Sequence, residues 1–141
     1  MRQAVEGAFR SVDRGLDRTR VEEGFLATLG FSGWQLGNAS AALAEEARIG
    51  HAPVTRVENA CASAGYALRA GVRAIESGAR DVVLVVGLEK MNDSPSAHRR
   101  YWLGVSGDTE WERLAGLTFA GVYALMASAH IAAHGTPMEA L

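Results

Sequence analysis

Apolar residues recur along this chain at two different periods, and the switches between them predict alternating helices and strands. From Met1, Val5, Phe9, Val12 and Leu16 return every three or four residues, which predicts an amphipathic helix that weakens at Gly15. Phe25 to Phe31 is apolar except for Thr28 and Gly30 and predicts a strand. Asn38 or Ser40 is placed to cap a second helix carrying Leu36, Leu43 and Ala47, which Gly50 ends. Pro53 precedes a short predicted strand, Val54 to Glu58. In the third helix Ala64, Leu68, Val72 and Ile75 share one face, and Ser77-Gly78 stops it. Val82 to Val86 are consecutive branched apolar residues, which predicts a strand buried on both faces.

The order helix, strand, helix, strand, helix, strand predicts a layered α/β fold. Helices pack on a mostly parallel sheet through right-handed crossovers in such folds. Residues 1–91 are expected to form this core. From Met91 to Thr118 the periodicity fades, and the stretch is too long for an ordinary connection. A helical pattern then runs from about Phe119 to His134 and ends at Gly135. Residues 92–141 are accordingly expected as a loop or cover region with a terminal helix. Their aromatic and charged runs, Arg99 to Leu103 and Trp111 to Arg113, suit a ligand lid, a subunit interface or satellite core. Thr136, Pro137 and Glu139 are helix-start signals close to Leu141. With so lean a sheet, they lead us to expect an incomplete domain from a longer architecture, a frayed tail being the alternative.

Composition narrows the classes of function. At 141 residues with 48% apolar content, the chain can bury a core of domain size. Its net charge of -2, without a basic stripe, gives no support to a nucleic-acid partner. One cysteine can form neither an internal disulfide nor a zinc site by itself. The apolar runs are too short to span a membrane, and the N-terminus lacks the apolar core of a signal peptide. A cytoplasmic setting is expected.

Cys61 is the candidate nucleophile. It follows the predicted strand Val54 to Glu58 and opens the third helix, where first-turn N–H groups favour a negative thiolate. Ala60, Ala62, Ser63 and Ala64 leave room around the sulfur for a covalent thioester. The same N–H groups would stabilise an oxyanion. Against this stands the ordinary role of an isolated cysteine as a small buried hydrophobe. The candidate bases are His51, His98, His130 and His134, none tied to Cys61 by spacing. His130 and His134 share a helix face, but Ile131-Ala132-Ala133 between them lacks a metalloprotease glutamate, so no metal site is expected. Glu89 and Lys90 follow the last predicted strand and either orient the thiol loop or form a solvated turn.

These residues carry a family likeness. Val57-Glu58-Asn59-Ala60-Cys61-Ala62-Ser63, with Asp81 to Met91 after the next helix, resembles the thiolase superfamily. The branch most similar is that of archaeal and bacterial acetyl-CoA acetyltransferases akin to the thiolase domain of sterol carrier protein. Tyr101 to Asp108 and Gly121 to Ala127 resemble the same branch. The resemblance implies a layered, thiolase-like half-domain, usually dimeric in the family, with Cys61 taking the acyl group from acyl-CoA. It implies a coenzyme A thioester as substrate and no tightly bound cofactor; it assigns no cofactor-binding residues. The region after Met91 resembles the family's inserted loop, which implies a part that helps cover the coenzyme A site and supports the dimer. Two departures stand out. The family's histidine and second cysteine have no counterparts, so a homodimer or a complementing thiolase half is expected as partner. The glycine that usually follows Cys-Ala-Ser is replaced by Ala64, with Gly65 next, and a methyl group there would crowd the loop. Three readings follow: a thiolase-type acyltransferase piece, a non-catalytic acyl-CoA or lipid-binding module, and a vestigial structural domain with Cys61 as core.

Overall fold

A computed structural model of the chain describes residues 1–31, 34 and 37–140. The chain divides into two compact units, Met1–Met91 and Asn92–Leu141. In the first, helix α1 (Arg2–Arg10) leads through a short turn to strand β1 (Glu23–Ala27). Helix α2 (Ala39–Ala47), strand β2 (Val54–Val57), helix α3 (Ser63–Glu76) and strand β3 (Val83–Gly87) follow. The strands form one parallel sheet in the order β2-β1-β3, with Gly24 paired to both Val54 and Leu84. The chain thus steps outward from β1 to β2 and then crosses back over β1 to β3. Crossovers of one hand put their helices on opposite faces when the direction of stepping reverses. Here α2 and α3 do pack on opposite sides, and the α/β expectation holds.

Strand alternation sends successive side chains of β1 to opposite faces. Leu26 joins Val5, Val21, Leu43, Ala47, Ile49 and Val86 in a core under α1 and α2. Phe25 and Ala27 point the other way and pack with Ala67 of α3. Arg18 fastens the first of these cores. Its guanidinium donates to the Ala47 carbonyl at 2.7 Å, pairs with Glu6 at 2.8 Å and lies 4.4 Å from the centre of the Phe9 ring. Those contacts join α1 to the C-terminal end of α2.

Several expectations need correction. The first strand begins at Glu23 and ends at Ala27, because its pairing with β2 and β3 fixes the register; Thr28 to Phe31 belong to the loop beyond. Helix α1 stops at Arg10, so Val12 is exposed rather than part of the apolar face. Asn38 stands at the N-cap of α2 but makes no side-chain cap bond, and Leu36 lies outside the described residues. The predicted core face of α3 is turned outward: Leu68, Val72 and Ile75 are exposed by 59%, 46% and 42%. The buried face is instead the small-residue row Ser63, Ala67 and Gly71. A methyl group at Gly71 would come within 2.9 Å of Val85, so glycine sets how closely the helix approaches β3. Strand β3 packs on both faces, Leu84 and Val86 with one core and Val83 and Val85 with the other, but as an edge strand it buries only Val86 fully.

The second unit contains helix α4 (Ser96–Gly104), a π-helical turn (Thr109–Arg113) and helix α5 (Phe119–His134). Helix α4 occupies part of the stretch expected to lack regular structure. Its signature is aromatic rather than periodic: the Trp102 indole donates to His98 Nε2 at 2.6 Å, and Tyr101 meets Trp102 edge to face. Arg113 lies 5.3 Å from the Tyr101 ring centre. Thr118 caps α5 by accepting from the Gly121 N–H, and Gly135 ends the helix in the left-handed region at φ 65°. Neither α4 nor α5 contains a buried residue. Met138–Ala140 forms a short 3-10 turn.

Candidate active site

Cys61 is exposed and lies in the turn between the C-terminal end of β2 and the start of α3. Ligands of open parallel sheets gather beyond strand C-termini, so the thiol occupies the end of the sheet where chemistry is usually found. The core-cysteine alternative is therefore at odds with its exposure. The thiol opens on a groove of about 400 Å³ lined by Cys61, Ala62, Gly65, Tyr66 and Arg69. Ala64 is itself exposed. A methyl group added at Gly65 would meet nothing within 4 Å, so neither residue of the shifted pair crowds the loop.

The turn is held from several sides. The Ala62 N–H donates to the Asn59 carbonyl at 2.9 Å, making Ala60 and Cys61 its central residues. Ala60 has φ 45°, which an L-residue adopts only against steric resistance. The Glu58 carboxylate accepts from the Ala60 N–H at 2.6 Å. The buried Ser63 hydroxyl accepts from the Asn59 N–H at 2.8 Å and donates to the Ala60 carbonyl at 2.7 Å. Sequence reasoning valued Ser63 only for being small and gave Glu58 no role. The available signal was a hydroxyl two residues beyond the cysteine, where it can fold back onto turn backbone.

Glu89 reaches a different loop from the one expected. Its carboxylate accepts from the Leu29 N–H at 2.9 Å and, more weakly, from the Thr28 hydroxyl at 3.4 Å, beyond the end of β1. Arg56 of β2 donates to the Thr28 carbonyl at 3.2 Å. Thr28 is buried, and its hydroxyl also accepts from the Gly30 N–H at 3.0 Å. Polar contacts thus run across the C-terminal ends of all three strands.

Among the candidate bases, His51 precedes β2 and donates through Nε2 to the Val21 carbonyl at 3.0 Å. It stands at the strand-start end of the sheet, away from Cys61. His98, His130 and His134 belong to the second unit. The His130 and His134 ring centres are 4.7 Å apart, with the Thr136 hydroxyl 2.9 Å from His130 Nε2. Among the described residues no group of three or more His, Cys, Asp or Glu side chains is placed to hold a metal ion.

An exposed thiol in the turn at the C-terminal end of a strand of a parallel α/β sheet defines a class of site, and comparison with known proteins supplies the family. Residues 3–135 match the family model of the thiolase N-terminal domain, and the chain belongs to that family. It is 42% identical over 102 residues to an acetyl-CoA acetyltransferase of Methanothermobacter thermautotrophicus, covering 72% of this chain and 26% of the relative. It is 39% identical over 140 residues to an acetyl-CoA acetyltransferase of Methanocaldococcus jannaschii, covering 97% of this chain and 35% of the relative. The chain therefore spans about a quarter to a third of the length of these curated relatives.

Proposed function

We propose that this chain carries the acyl-accepting half of a thiolase-type acyltransferase, with Cys61 as nucleophile and an acyl-CoA, acetyl-CoA first, as donor. The Cys61 thiolate attacks the thioester carbonyl carbon, the bond from that carbon to the coenzyme A sulfur breaks, and the acetyl group remains on Sγ as a new thioester. Coenzyme A leaves as its thiol, so the proton lost by Cys61 is the one it gains. The Ser63 N–H is taken by the Ala60 carbonyl, but the Ala64 and Gly65 N–H groups that follow in the first turn of α3 lack acceptors within their own helix and are suited to the negative charge of the tetrahedral intermediate. The exposed thiol at the β2–α3 turn, in a chain of this family, carries the proposal.

Further steps of a thiolase cycle need a base and a second proton carrier near the acyl group. His51 is at the wrong end of the sheet to serve. We assign those roles to a second thiolase-type half, in the same polypeptide or in a partner such as a second copy of the chain. The outward face of α3, with Leu68, Val72 and Ile75, supports such further packing. The family relationship likewise supports a cytoplasmic setting and no tightly held cofactor.

Protection from alkylation tests the acyl-accepting role. Preincubation with acetyl-CoA should block iodoacetamide labelling of Cys61, and coenzyme A alone should not. Binding of both compounds without lasting protection would instead favour a non-catalytic acyl-CoA-binding module. Absence of both binding and protection would leave a structural domain.

A further inference from the structure

Small hydroxyls beside a reactive thiol are easily passed over, yet the Ser63 side chain touches the cysteine turn twice. Its oxygen takes the Asn59 N–H at 2.8 Å, and its proton goes to the Ala60 carbonyl at 2.7 Å. The Ser63 backbone N–H meets that same carbonyl at 3.2 Å. Asn59 and Ala60 are the two residues before Cys61, and Ala60 is the one in the disfavoured positive-φ region. Strained backbone of this kind persists only where its surroundings hold it. Ser63 is 6% exposed and begins the buried row of α3, so the hydroxyl is anchored to the helix rather than to a mobile tip.

We infer that Ser63 is a positioning residue: its hydroxyl locks the Asn59–Ala62 turn to the first residue of α3 and so fixes the direction in which the Cys61 sulfur faces the groove. The inference rests on the acyl-accepting role proposed above. Glu58, which takes the Ala60 N–H from the outer side, is the secondary support. The two readouts of this role differ in what they demand of the thiol. Acyl transfer requires the sulfur, the carbonyl carbon and the N–H donors to be aligned. Alkylation by a small reagent requires only an accessible thiol.

The test compares the unmodified chain with Ser63→Ala and Ser63→Thr. Acetylation of Cys61 by acetyl-CoA should fall at least tenfold in Ser63→Ala, while iodoacetamide alkylation stays within about twofold. Ser63→Thr, which keeps the hydroxyl, should recover acetylation. Equal acetylation rates in Ser63→Ala and the parent would overturn the inference, as would a matching fall in both reactions. Amide hydrogen exchange decides the matter separately. In the unmodified chain the Asn59 N–H should exchange slowly although Asn59 is exposed, and Ser63→Ala should remove that protection. Rapid exchange in the parent would overturn the inference even if Ser63→Ala does not fold. If the parent is not acetylated but Asn59 is protected through Ser63, the acyl-accepting role fails while the clamp stands.

Discussion

The two faces of the sheet are built in different ways. Under α1 and α2, large side chains interlock: Leu26, Leu43 and Ile49 are fully buried together with Val5 and Val21. Under α3, contact is made by Ala67 and Gly71 against Phe25, Val83 and Val85, while the larger residues of the helix look away. One face derives stability from buried volume. The other uses close approach to bring the N-terminus of α3, and the cysteine turn with it, tightly to the end of the sheet. The helix that follows the cysteine turn is placed by its smallest residues.

Truncation should separate the two faces most strongly. Leu43→Ala should destabilise the fold by about 2–5 kcal/mol in urea unfolding, as expected for a fully buried leucine. Leu68→Ala, on the outward side of α3, should change stability by no more than about 0.5 kcal/mol. Equal losses would erase the contrast. Added volume gives the converse experiment and a smaller effect. Gly71→Ala should cost about 1–3 kcal/mol, because the new methyl group presses on Val85 and α3 must shift. Alanine at Gly65, where the space is open, should lack that packing penalty.

The smallest effect concerns the strand-start end of the sheet. The Glu22 carboxylate accepts from the backbone N–H groups of Asp81 and Val82, and these bonds lower its pKa below 4.5 in the folded chain. A lowered folded value means that its contribution is fully present above pH 4.5 and is lost as the pH falls through that lower value. Glu46, lowered by its hydrogen bond and ion pair with Arg2, and Asp17, lowered chiefly by the Thr19 N–H, add to the same acid trend. Glu22→Gln should flatten the decline in melting temperature below pH 4.5 and leave the cysteine end of the sheet unchanged. An identical acid profile in the variant would remove Glu22 from the account.

Much of the fold was legible because periodicity and punctuation agree. Helix α5 between Thr118 and Gly135, the strand after Pro53 and the stop of α3 at Ser77 all follow local signals. The inward face of α3 was not legible, since a helix with Leu, Val and Ile on one side and Ala and Gly on another offers two faces. Periodicity favours the bulkier one, whereas the sheet accepted the one that permits close contact. The start of β1 was also hidden: Glu23 and Gly24 have poor strand propensity, and only pairing with both neighbouring strands brings them into the sheet. Helix α4 has no apolar stripe and is laced by aromatic contacts instead. Within the site, Cys61 could be found from its junction and its motif. The bonds from Ser63 had only the signal of a hydroxyl near the cysteine, and that from Glu58 had none, because their partners depend on how the turn folds back.

Whether the Cys61 sulfur accepts an acyl group from acetyl-CoA is decided by the intact and peptide mass of the folded chain after incubation with that thioester. The expected product carries a single added acetyl group, located on Cys61, removed by hydroxylamine and absent from Cys61→Ser. An unchanged mass, or an acetyl group that persists in Cys61→Ser, would contradict the acyl-accepting role of Cys61.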